Sequence, residues 1–77
     1  MAKNDPITTE YENRAKNLLK AELKRKGVTY AQLAGKLGEI GVVENERNLN
    51  NKISRGGFSA AFLLQCLASI EVSDVRL

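Results

Sequence analysis

Five residues between positions 47 and 55 carry the chemistry this chain can do: Arg47, Asn48, Asn51, Ser54 and Arg55. A guanidinium fork matches guanine or a phosphate, a carboxamide matches adenine, and a hydroxyl donates to either. At a helical step of about 100° per residue these five share one side, while Leu49 and Ile53 share the other. Asn50 and Lys52 stand at the edges. Asparagine is a poor helix former, so Asn45, Asn48, Asn50 and Asn51 in one helix and its cap are a costly way to solubilise a surface. A plain solvated face is the competing reading. The polar set favours a face that meets a polyanion, with Lys52 in support.

Such a face needs a helix beneath it and others to hold it. Asn45 is a good N-cap, Glu44 and Glu46 suit the positive end of a helix, and Gly56-Gly57 stops it. A preceding short helix is signalled by Thr29, with Gln32 completing a capping box, and Leu33, Ala34 and Leu37 face inward. Gly35 and Gly38 limit it to about Tyr30–Leu37. Ile40, Val42 and Val43 are expected to plug the connecting segment into the core.

Upstream, Thr9-Glu10-Tyr11-Glu12 reads as a capping box that opens a helix running to Lys26, before Gly27. Tyr11, Ala15, Leu18, Leu19 and Leu23 form its buried stripe. Downstream, Ser59 caps a nearly all-apolar helix to Ile70, and Ser73–Arg76 fit a short fifth turn. The expected helices are 9–26, 29–37, 45–55 and 59–70. Their expected core is Leu18, Leu19, Leu23, Leu33, Leu37, Leu49, Ile53, Phe62, Leu63 and Leu67. Residues 1–8 read as a flexible arm and 9–77 as a single all-α domain of four to five helices.

The 77 residues support one domain with a thin stability margin. The net charge of +3 favours a polyanion, although it lies in residues 1–26, with seven basic and four acidic side chains. Residues 27–77 balance at five of each. Lys16, Lys20 and Lys24 step by four along the first helix and suit either phosphates or solvent. A lone Cys66 excludes an internal disulfide and fits a reducing cytoplasm, where it reads as a buried structural thiol. Without histidine or a second cysteine, no metal site, cofactor or enzymatic centre is expected. No secretory leader, membrane span or small-molecule effector is expected either.

Gly27-Val28-Thr29, Leu33-Ala34-x-x-Leu37-Gly38 and Ile53-Ser54-Arg55-Gly56 resemble the lambda-repressor-like helix-turn-helix domains of phage repressors and xenobiotic-response-element regulators. The tail Leu64-x-x-Leu67-Ala68-x-Ile70-x-Val72-Ser73 resembles them too. The pattern around Ala21-Glu22-Leu23-Lys24 and Ser59-Ala60-Ala61-Phe62-Leu63-Leu64 is similar to a small bacterial family catalogued only as a domain of unknown function. The repressor resemblance implies a compact helix-turn-helix fold that places residues 45–55 in the major groove. It also implies a phosphate contact at Tyr30, where such domains often carry glutamine. Three departures stand out. The turn before the third helix is longer, and the Gly57-Phe58 link is shorter. Leu23 and Ser54 also stand where an arginine–glutamate pair is usual.

The function expected from these readings is that of a small DNA-binding transcriptional regulator acting on double-stranded DNA as a homodimer. Its contacts would be Tyr30, Arg47, Asn48, Asn51, Lys52, Ser54 and Arg55. The alternative is a protein-interaction adaptor that keeps the fold without binding DNA. A membrane-surface role for the first helix fits less well, because its leucines are needed for the core. The apolar surplus of the fourth helix points to Leu64, Val72, Val75 and Leu77 as the dimer surface.

Overall fold

Asp5 and Pro6 start the first helix. The Asp5 carboxylate accepts the Ile7 amide at 2.9 Å and its carbonyl accepts the Thr9 amide at 2.9 Å. Pro6 takes the first helical position, where a missing N–H costs nothing. In the computed structural model, which describes residues 5–77, α1 therefore spans Pro6–Lys26. The helix opens three residues before the expected Thr9, and the local box there does not cap it. Residues 6–8 of the expected arm are helical, and residues 1–4 lie outside the described part.

The other three helices begin at the expected caps. For α2 (Tyr30–Glu39), Thr29 and Gln32 exchange side-chain and backbone hydrogen bonds at 3.1 and 2.9 Å. For α3 (Glu46–Arg55), the Asn45 side chain accepts the Asn48 amide at 2.8 Å. For α4 (Ala60–Ser69), the Ser59 hydroxyl oxygen accepts the Phe62 amide at 3.0 Å. The described residues contain these four helices and no strand, and the tail after Val72 forms no fifth turn.

Three helices end with the same device. Val28, Val42 and Val72 each donate an amide hydrogen bond of 2.9 Å to the carbonyl of Leu23, Leu37 and Leu67 respectively. The residue before each valine is left-handed: Gly27 at φ 69°, Gly41 at φ 89° and Glu71 at φ 63°. This closure satisfies the last carbonyls and turns the following side chain back onto the helix. It carries Val72 into the core, where the residue is only 8% exposed. Val72 is thus buried by its own chain, which corrects its place on an expected dimer surface.

α1 and α2 each pack on both α3 and α4, giving a ring in the order α1, α3, α2, α4. Leu19, Leu23, Leu33, Leu37, Leu49, Ile53, Phe62, Cys66, Leu67, Ile70 and Val72 fill it. Leu18 and Leu63, expected inside, are half-buried at its edge. Tyr11 is exposed, because α1 has no buried residue before Leu19. Of the three apolar residues expected to plug the α2–α3 connection, Val42 turns inward, while Ile40 and Val43 face solvent. The Cys66 thiol is fully buried. Burial, then the Glu44 charge, pushes its pKa up to about 12, while Lys52 opposes the rise. Below pH 9 the thiol is protonated whether folded or unfolded. Between about 9 and 12 only the unfolded chain releases the proton, so stability falls with rising pH across that window. Among the described residues no helix is long and apolar enough to cross a membrane.

Candidate nucleic-acid interface

Leu49 and Ile53, both fully buried, fix the orientation of α3. With those two inward, Ser54, Arg47, Asn51, Arg55 and Asn48 occupy an outward arc of roughly 120° on the helical wheel. All five are exposed. Among the described residues neither Arg47 nor Arg55 enters an ion pair, so both guanidinium groups keep their donors for an external acceptor. The Asn48 backbone amide is used by the Asn45 cap, which leaves its carboxamide open. Ser54 lies 3.5 Å from the Asn50 carboxamide oxygen, at the limit of a hydrogen bond.

The far end of α3 is locked against α1. Gly56 is buried and left-handed at φ 77°. A methyl group there would stand 3.1 Å from the Glu12 carbonyl oxygen and 3.5 Å from the Lys16 β-carbon. Only glycine meets both demands. The helix is therefore held by buried leucine and isoleucine along its length and by a close backbone approach at its end. Its polar face takes no part in that support.

Lys52, one of the expected contacts, has partners within the chain. Its ammonium donates to Glu44 at 2.5 Å and lies 4.8 Å from the centre of the Phe62 ring. The Glu44 side chain is only 9% exposed, so this pair is partly desolvated. Lys52 thus ties α3 to its preceding loop and to α4, with its own side chain still 46% exposed. Its partners lie 8 and 10 positions away, beyond any helical periodicity, so the local pattern of α3 carries no sign of them. Tyr30 is half-buried at the start of α2, and that burial raises its phenol pKa. The hydroxyl stays neutral and able to donate.

Of the residues expected to meet a second copy, Leu64, Val75 and Leu77 are exposed. Sequence reasoning left out Ile7 and placed Tyr11 in a buried stripe, yet both are exposed apolar side chains. The signal for Ile7 was Asp5-Pro6, which starts α1 early enough to make that residue helical.

The family described as Domain of unknown function (DUF6471) matches residues 11–75, and the chain belongs to it. No curated protein and no solved structure matches the chain.

Proposed function

We propose that this DUF6471 domain is a small DNA-binding protein that regulates transcription by laying the outward face of α3 in the major groove. The observation that carries the reading is the separation of roles on α3. Leu49, Ile53, Gly56 and Lys52 hold the helix in place, while Arg47, Asn48, Asn51, Ser54 and Arg55 contribute nothing to that support. Consecutive helices α2 and α3 pack directly on one another, which suits a helix-turn-helix of the lambda-repressor-like kind. The neutral Tyr30 hydroxyl at the start of α2 supplies a phosphate contact, and a homodimer doubles the contacts and reads two half-sites.

Titration of a nonspecific duplex at two salt concentrations tests this. With Arg47 and Arg55 on phosphates in each of two copies, affinity should fall on the order of 10²-fold between roughly 50 and 200 mM salt. The adaptor reading draws support from Glu44, which neutralises Lys52 beside the face. It predicts no binding at either concentration, and that result would rule the DNA reading out.

A further inference from the structure

Two shallow grooves meet along α1. One, of about 430 Å³, is lined by Ile7, Tyr11, Ala15, Phe58, Ala60 and Leu63, with Glu12 at its rim. The other, of about 580 Å³, is lined by Tyr11, Ala15, Leu18, Ala21, Leu63 and Leu77. They share Tyr11, Ala15 and Leu63, so they form one trough. It runs roughly 21 Å along α1 from Ile7 to Ala21 at 1.5 Å per residue. Ile7 is 68% exposed, Tyr11 58% and Leu77 95%. Leu64, one turn beyond Ala60, is 65% exposed. An apolar run of this extent on a small soluble domain marks a surface that meets another.

Three features identify what it meets. Ile7, Tyr11, Leu18 and Ala21 fall on the alternating four-and-three spacing of a seam between paired helices, with Arg14 at its middle position. The charged residues lining the trough are Glu12 and Glu22 against Arg14 and Arg76, two of each sign. A two-fold contact sets a patch against itself, so a single-sign patch repels its own copy and a balanced one does not. The same balance disfavours a nucleic acid, which needs a net positive surface. Finally, the large side chains Ile7 and Tyr11 lie at one end of the α1 stripe, and Ala15 and Ala21 leave room towards the other.

We infer that a second copy of this chain docks in the trough with the two α1 helices antiparallel. Ile7 and Tyr11 of each copy then fill the space beside Leu18 and Ala21 of the other, while Leu64 and Leu77 close the sides. The contact is isologous, as two-fold symmetry requires. It corrects the expected dimer surface by replacing the buried Val72 with the α1 stripe. It deepens the two-copy arrangement of the proposed function, yet it rests on the trough and not on DNA binding.

Sedimentation equilibrium of the full chain without DNA, up to about 500 μM, tests it in the concentration range of weak dimers. The expected mass is twice the 8.5 kDa of one chain. Tyr11→Glu should raise the dimer dissociation constant at least ~30-fold, as expected when a charge replaces an aromatic anchor. Ala21→Glu, at an exposed position facing Ile7 of the other copy, should do the same without disturbing the core. Val43→Glu, at an exposed apolar residue outside the trough, should leave the dimer intact. A single-chain mass across the range, or a dimer that survives both Tyr11→Glu and Ala21→Glu, overturns the inference. Because no DNA is present, either result leaves the α3 reading standing.

Discussion

The outward face of α3 and the trough along α1 are both exposed, and they are unlike in what they leave unsatisfied. On α3 the unmatched groups are hydrogen-bond donors and acceptors, in particular two guanidinium groups outside any internal ion pair. In the trough they are apolar atoms of Ile7, Tyr11 and Leu77, among balanced charges. A polar face with unmatched donors gains by meeting a polymer that supplies acceptors. An apolar face gains by leaving water altogether. The two surfaces are therefore suited to different partners, and substitutions should separate them.

The sharpest contrast is between the inner side of α3 and the trough. Leu49→Ala removes a fully buried side chain and should cost about 2–5 kcal/mol of stability in urea unfolding. Tyr11→Ala should cost the single chain under ~1 kcal/mol, since the ring is mostly in solvent. Equal losses at the two positions would mean that the trough belongs to the fold and not to a partner.

Next in size is the outer side of α3. Arg47→Ala or Asn51→Ala should each cost about 1–3 kcal/mol of duplex affinity if the residue reads a base, and relax preference at one position. Their urea midpoints should match wild type. A fall in stability with unchanged affinity would reverse the roles assigned to the two sides of the helix.

A smaller gain is expected where the tail turns back to flank the trough. Glu71 is left-handed without being glycine, which costs about 1–2 kcal/mol. Glu71→Gly should therefore raise stability by about 1 kcal/mol after allowing for the freer unfolded chain. The thermal midpoint reads this directly. The smallest effect on binding belongs to Lys52→Ala, which should change the duplex affinity of the folded chain by less than ~0.5 kcal/mol, its cost falling instead on stability through the mostly buried Glu44 carboxylate left without its partner. A loss as large as that of Arg47→Ala would return Lys52 to the contact set.

What the sequence discloses here is mostly what local chemistry determines. Thr29 with Gln32, Asn45 and Ser59 announce three helix starts because a cap acts within three residues. The polar arc of α3 is legible for the same reason, since helical phase follows from Leu49 and Ile53 alone. The start of α1 is obscured by two rival signals, and Asp5-Pro6 prevails over the Thr9–Glu12 box. The inward turn of Val72 repeats the Gly27-Val28 and Gly41-Val42 pattern, but a glutamate stands where the other two have glycine. The Glu44–Lys52 pair and the trough depend on how separate helices meet, which no local periodicity encodes.

Whether the α3 arc meets a duplex is read residue by residue in amide chemical-shift mapping of the 15N-labelled chain with a short DNA. The largest shifts should cluster at Arg47, Asn48, Asn51, Ser54 and Arg55, with a smaller response at Tyr30 and little along Ile7–Ala21. Shifts confined to Lys16, Lys20 and Lys24 of α1, with the α3 amides unmoved, would contradict it.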